Sequence, residues 1–434
     1  AALMSDTAAM EQLSEKAFAT VADFAPAIVE GKRDAMLGAL RRRAAAKQLL
    51  FVHDNVFFTT GDGKVWTSAA MAAAFWANYR LFDRVVVAGR DGGWIEATEG
   101  LARADAPGVS FALLPNVNGP IKTINRVPAG RAMARLVGNA DAVIARLPSE
   151  LGLMACAAAN RLSKPLLVEV VGSALQAFRA HGSPIARIYA PLVDWRMRRA
   201  VARAPLVTYV TQHWLQSDYP SANPQLDLSA PGPRRLQAGI PDAVIALPTA
   251  EVHAARKARL RELQEGRSPV FGTIGTLATR YKGLQVAIPA FAKLQAEGRT
   301  FTYRILGPGD PRPWQEMIDR HGLSDIIIID AARAPGEDVL EWLDSIDVHV
   351  QPSLTESLGR GTVEAMSRGA ACIGSSAGGL PEYLDPEFLH PPGEVDALAA
   401  HLRLLLDRPE LIAQLSERSF ETLDRFAPET IAPL

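Results

Sequence analysis

The stretch Gln351-Pro-Ser-Leu-Thr-Glu-Ser-Leu-Gly-Arg-Gly-Thr-Val-Glu-Ala-Met-Ser-Arg-Gly369 decides the reading of this chain. A short apolar strand ends at Gln351 and Pro352 stops it. A polar turn follows, and a helix opens near Leu358. Backbone N–H groups around Ser357, Leu358, Gly359 and Arg360 have no helical partner at such a start and suit a phosphate or another anion. Glu356 lies before the helix and Glu364 inside it, eight positions apart. Two carboxylates beside an anion-binding helix start are poor design for stability. They make sense as acceptors for the hydroxyls of a sugar or ribose.

Upstream and downstream, other strand ends carry matching features. Gly275-Thr-Leu-Ala-Thr-Arg-Tyr-Lys-Gly283 follows the strand Val270–Ile274. Gly275 permits close backbone approach, with Thr276 beside it, and Arg280 and Lys282 supply cations fit to neutralise a diphosphate. Leu306-Gly307-Pro308-Gly309 closes another strand, where glycines let a nucleoside lie against backbone. Ser376-Ala-Gly-Gly-Leu-Pro-Glu382 is a turn after a further strand. Each is weak alone; four at successive strand ends of one domain are far more specific.

The strand–helix alternation runs through most of the chain. Predicted strands are Leu49–His53, Arg84–Ala88, Ser110–Leu114, Ala142–Ala145, Pro165–Val170 and Leu206–Val210. After a Pro-, Gly- and Ser-rich stretch at 218–235 and a basic helix at 251–265, they resume as Pro269–Ile274, Phe301–Leu306, Ile326–Ile329, Asp347–Gln351 and Ala371–Gly374. Helices are expected between them, among them Trp66–Tyr79, Ser149–Leu162, Gly283–Glu297 and Gly359–Arg368. This pattern predicts an α/β chain of two Rossmann-like, doubly wound parallel-sheet domains. Ligands sit outside the carboxyl ends of such strands, so the two domains are expected to face each other across a cleft. The expected division is a helical N-terminal appendage (1–46), an acceptor domain (47–235), a nucleotide-sugar domain (236–410) and a C-terminal helix (411–434) returning to the first domain.

Composition narrows the function classes. Lys and Arg number 46 against 47 Asp and Glu, a net charge of −1, which argues against a nucleic-acid binder. Cys156 and Cys372 form no CxxC pair and no metal-ligand spacing, and read as small buried hydrophobes in a reducing compartment. No apolar run approaches the ~20 residues of a membrane span. The first residues, AALMSDTAAMEQLSEK, lack a basic region followed by an apolar core. The expectation is a cytoplasmic protein, compatible with peripheral contact at the inner face of the membrane.

In combined order the motifs are a glycine–lysine loop, GxG, P-S-x-x-E-x7-E-A-M-x-x-G and GG-x-x-E. This order resembles the nucleotide-sugar-binding half of retaining GT-B glycosyltransferases, the large family with sucrose synthase, bacterial mannosyltransferases and many polysaccharide-assembly enzymes. It is strong over about 268–385 and looser in the N-terminal half. It implies that Glu364 holds the donor ribose, that Glu356 lies by the donor sugar, that the Ser357–Gly359 backbone contacts sugar and distal phosphate, and that Lys282 meets the diphosphate. The chain departs from the family at Gly275-Thr276-Leu277, where many members have Gly-Arg-Leu. Arg280 or Arg360 then supplies the missing charge.

The N-terminal half is expected to serve the acceptor. Gly61 and Gly63, after the first strand, resemble the family's glycine loop at the donor. His53, Asp54 and Glu169 sit at strand ends, though a structural role for His53 weighs more heavily. His181 follows in a loop. The basic stretches Arg41–Arg43 and Trp195–Arg199 read as solvated faces, or as contacts to an anionic membrane surface that would suit a lipid-linked acceptor. No Asp-x-Asp triplet is present, so no metal or other obligatory cofactor is expected. The implied reaction is transfer of a sugar, from a UDP- rather than a GDP-linked donor, to a glycan or lipid-linked glycan. The rivals are a nucleotide-sugar epimerase on the same scaffold, a non-catalytic nucleotide-sugar-binding partner and, last, a nicotinamide-dependent oxidoreductase.

Overall fold

The structure, a computed structural model, describes residues 26–43, 47–68, 71–117, 124–180, 184–227, 235–241, 248–333 and 336–424. The chain divides into two compact units, Glu30–Ile240 and Pro241–Leu434, with residues 26–29 grouped with the second. The first part of the expected helical appendage, residues 1–25, and His181 lie outside the described residues.

The N-terminal unit is built on strands β1 (Gln48–Thr59), β2 (Val65–Thr67), β3 (Arg84–Trp94), β4 (Ala102–Arg103), β5 (Val109–Leu114), β6 (Ala142–Leu147), β7 (Leu166–Val170), β8 (Leu206–Tyr209) and β9 (Leu236–Gly239). A parallel run is ordered β5-β3-β1-β6-β7-β8-β9. Its central strands are apolar without alternation, as at Leu49–Val52 and Val143–Ala145, because helices cover both faces. Since β9 pairs with β8, the first sheet extends past the boundary read at residue 235.

Two sequence expectations need correction in this unit. First, β1 does not stop at His53. A register irregularity between Val52 and Val56 absorbs the polar His-Asp-Asn, and the strand resumes through Val56-Phe57-Phe58. Second, the predicted helix Trp66–Tyr79 becomes β2, antiparallel to β1 and β4, followed by a 3-10 turn at Ala73–Tyr79. That turn packs Phe75 and Trp76 edge-on, and Tyr79 tilted, against Phe51. The segment read as a helical appendage does contain a helix, Pro26–Arg42, and it buries Met36, Leu37 and Leu40. Arg33 Nη1 donates to Asn78 Oδ1 at 2.7 Å.

The C-terminal unit contains β10 (Val270–Ile274), β11 (Thr302–Leu306), β12 (Ile327–Asp330), β13 (Val348–Gln351), β14 (Ala371–Ser375) and β15 (Leu389–His390). They are parallel in the order β12-β11-β10-β13-β14-β15. Phe271, Phe291, Phe301 and Tyr303 form an aromatic centre beneath the sheet. Buried Asp347 ties the starts of β10 and β13 together: it accepts from Val270 N at 2.7 Å and takes a two-pronged Arg267 at 2.8 and 2.9 Å. The helix Pro409–Asp424 packs within this same unit, with Ser419 Oγ donating to Ala370 O and Phe420 against His253. Its described part therefore does not follow the expected return to the first domain; residues 425–434 lie outside the described residues.

Candidate functional site

The order of the second sheet fixes where a ligand can sit. Chain direction leaves β10 toward β11 and β12 on one side, and toward β13, β14 and β15 on the other. The connections after β10 and β13 thus lead to opposite sides of the sheet, which puts a topological switch point at their carboxyl ends, the usual ligand position in an open α/β sheet. Lys282 follows β10 and Glu356 follows β13.

The two loops are locked together there. Leu354 N donates to Tyr281 O at 2.7 Å, and Lys282 Nζ reaches Glu356 Oε2 at 2.6 Å. Both side chains are largely buried, with 16% and 11% exposure, so the pair is little screened. The same Oε2 accepts from Ser353 Oγ at 3.2 Å and Gln351 Nε2 at 3.3 Å. Behind them lie Thr362 and His349, whose Nε2 meets Gln351 Oε1 at 3.1 Å. Burial first, and then the charge of Lys282, push the His349 pKa down to about 4, so that a neutral imidazole supports Gln351.

Glycines make this approach feasible. A Cβ on Gly275 would stand 3.0 Å from Lys282 Cγ, so the lysine stem lies along bare backbone. A Cβ on Gly307 would fall 1.8 Å from Gly275 O, and one on Gly378 1.5 Å from Glu356 O. Leu277 N donates to Pro308 O, and Gly379 N to Ser357 O, so all four loops named from the sequence are joined. Thr276 Oγ1 also donates to Pro308 O.

The helix Arg360–Ser367 starts at Gly359, which is left-handed (φ 76°) and offers no side-chain cap. Tyr383 donates its hydroxyl to Leu358 O and holds this turn from behind. Arg360 reaches Glu364 one turn on, at 3.5 Å. Burial raises the Glu364 pKa, partly offset by Arg360. Arg280 does not join the pair: its guanidinium lies over the Trp314 ring at 5.9 Å. Sequence reading missed the Gln351, Ser353 and Tyr383 supports. Ser353, three residues before Glu356 in the quoted stretch, was the available signal.

Gly61, Gly63 and Asp54 are placed differently from expectation. Gly61 and Gly63 lie in the exposed hairpin turn between β1 and β2, where Gly63 N donates to Thr60 O, and not in a strand-to-helix loop. The added length of β1 carries them there. Asp54 caps the helix Glu150–Arg161, accepting from Glu150 N and Leu151 N at 2.9 and 3.0 Å. Glu169 accepts from Tyr79 OH at 3.1 Å and pairs with Arg146 at 3.3 Å. Burial, then Arg146 and Arg90, lower the His53 pKa to about 3, and its Nδ1 has no hydrogen-bond partner. Cys156 and Cys372 are buried free thiols. Among the described residues, no group of three or more His, Cys, Asp or Glu is arranged to hold a metal ion, and no helix is long and apolar enough to cross a membrane.

The profile described as glycosyl transferases group 1 matches residues 268–408. Protein CapJ of Staphylococcus aureus is 27% identical over 374 residues, covering 86% of this chain and 88% of CapJ. The 2-deoxystreptamine glucosyltransferase of Streptomyces kanamyceticus is 32% identical over 279 residues, 62% of this chain and 69% of that protein. Among solved structures, HepE from Anabaena in complex with UDP aligns with a TM-score of 0.57 at 18% identity, covering 89% of this chain and 97% of HepE. That last likeness is one of fold: two parallel-sheet domains of the GT-B type.

Proposed function

Because the chain belongs to the group 1 glycosyl transferases and is a glycosyltransferase, we propose that it transfers a hexosyl unit from UDP to a hydroxyl of a glycan or lipid-linked glycan, with retention of anomeric configuration. The observation that carries this reading is the Lys282–Glu356 pair at the β10/β13 switch point. Glu356 neutralises Lys282. An incoming diphosphate takes over the ammonium, while Ser353 and Gln351 keep the carboxylate in place. Glu356 then turns to the donor sugar and supports the positive charge that develops as the diphosphate leaves. Lys282 and the uncapped helix start at Gly359 stabilise that leaving group. Arg360 lies one turn from Glu364 and supplies the cation that Thr276 does not; Arg280 is the second candidate for that role. Glu364 accepts from the ribose hydroxyls.

No divalent metal or other cofactor is required in this scheme. HepE holds UDP, which supports the choice of base. His53 and Glu169 serve the acceptor, a glycan or lipid-linked glycan of bacterial surface-polysaccharide synthesis, met at the inner face of the cytoplasmic membrane. Thermal-shift screening against UDP, GDP, NAD and a panel of nucleotide sugars tests the reading. Stabilisation by UDP and its sugars is expected, growing with concentration over Kd. Stabilisation by NAD alone would overturn it.

A further inference from the structure

The helix Pro184–Arg203 has two apolar faces where a surface helix ordinarily has one. One face, Ala190, Val193, Met197 and Val201, is buried in the N-terminal unit. The other, Ile185, Ile188, Leu192 and Trp195, recurs at spacings of three, four and three, and stands exposed, Ile188 at 82%. The ridge continues to Arg199, whose guanidinium lies over the Trp195 ring at 5.6 Å. Arg126 lies over Tyr189 at 5.1 Å and brings a second segment alongside, with Ile124 (80% exposed) and Val127 also bare. A run of large exposed aliphatics of this kind marks an interaction surface.

Charge identifies the partner. The chain as a whole is balanced, yet the helices Arg126–Asn139, Ala174–Ala180 and Pro184–Arg203 carry nine arginines and a single carboxylate, Asp194. That carboxylate is buried and paired with Arg198 at 2.7 Å. Arg187, Arg199 and Arg203 are exposed beside the apolar ridge. A second copy of this face would meet it with like charge. Aliphatic side chains, an interfacial tryptophan and a fringe of arginines instead fit the headgroup boundary of an anionic bilayer. We propose that this face docks the protein onto a membrane rich in anionic lipid, the helix Pro184–Arg203 lying in the surface plane. This deepens the membrane placement under the proposed function and rests on that reading only there.

The test uses the full chain and sedimentation with vesicles of phosphatidylcholine alone or with phosphatidylglycerol at one-third. Each near-surface cation strengthens partition about five-fold. Binding to the anionic vesicles at least tenfold above the neutral ones, weakened by salt, is expected. Ile188→Asp with Trp195→Asp, and separately Arg187→Glu with Arg199→Glu, should each lower partition at least tenfold and leave the UDP-induced thermal shift unchanged. Equal binding to both vesicle types, wild-type partition by both variants, or a dimer in light scattering that Ile188→Asp dissociates without any vesicle binding would each overturn the docking surface. A missing UDP shift with intact vesicle binding would instead count against the donor reading alone.

Discussion

Removing the ammonium at residue 282 separates two jobs that the structure gives the Lys282–Glu356 pair. In Lys282→Met the stem still lies along Gly275, but Glu356 loses a partner at 2.6 Å in a mostly buried setting. Breaking a buried pair from one side costs ~3–5 kcal/mol. Ser353 Oγ and Gln351 Nε2 still donate to the same oxygen, each worth ~1 kcal/mol. The expected net loss is therefore about 2 kcal/mol, or about 4–8 °C in Tm for a unit of this size. UDP affinity falls as well, because one charge-assisted hydrogen bond worth ~1.5–3 kcal/mol disappears, a weakening of roughly 10- to 150-fold. Glu356→Gln has the opposite signature. It keeps the shape, releases Lys282 from its internal competitor, and should bind UDP at least as tightly as the wild type while transfer collapses. Titration calorimetry with UDP on both variants reads this contrast. If Lys282→Met binds UDP within twofold of wild type, or Glu356→Gln weakens it as much as Lys282→Met does, the exchange of partners is wrong.

Three further outcomes follow from the geometry. Gly307→Ala sets a Cβ 1.8 Å from Gly275 O, backbone against backbone, and should cost at least ~3 kcal/mol in denaturant unfolding; Gly130→Ala, whose Cβ meets nothing within 4 Å in a helix, should gain ~0.5–1 kcal/mol. Asp347→Ala removes the carboxylate joining Arg267 to Val270 N and should lower stability by ~3–5 kcal/mol in the same assay. His53, His349 and His390 have folded pKa values of about 3, 4 and 4, below the ordinary 6.5, so the unfolded chain binds more protons. Their contribution is complete above pH ~6.5 and is lost as pH falls toward 4, each group removing up to ~1.4 kcal/mol per pH unit. Tm measured from pH 7.5 to 4.5 should decline accordingly, and more shallowly in His53→Gln.

Much of the C-terminal site was legible because its chemistry is local in sequence. Gly275 and Lys282, Gly307 and Gly309, and Glu356 lie in loops that follow strands, and Glu364 in the helix after one, so finding the strands found these candidates. What joins them is not local. The Gln351 and Ser353 contacts to Glu356, the Tyr383 hydroxyl behind Leu358 and the stacking of Arg280 on Trp314 depend on how loops converge in space. The N-terminal unit was less legible for a backbone reason. His53-Asp54-Asn55 reads as the end of a strand, yet the register irregularity carries β1 on for six residues past His53 and moves Gly61 and Gly63 into a hairpin. Asp54 likewise looked like a site carboxylate and is a helix cap, because the helix start it caps lies about a hundred residues further along the chain.

The most direct test is release of UDP from a UDP-sugar, with and without a glycan acceptor, by the wild type, Lys282→Ala and Glu356→Ala. Turnover by the wild type is predicted, with a loss of ~100-fold or more in each variant while circular dichroism and cooperative unfolding persist. Near-wild-type turnover by both folded variants, against the same donor and acceptor, would contradict it.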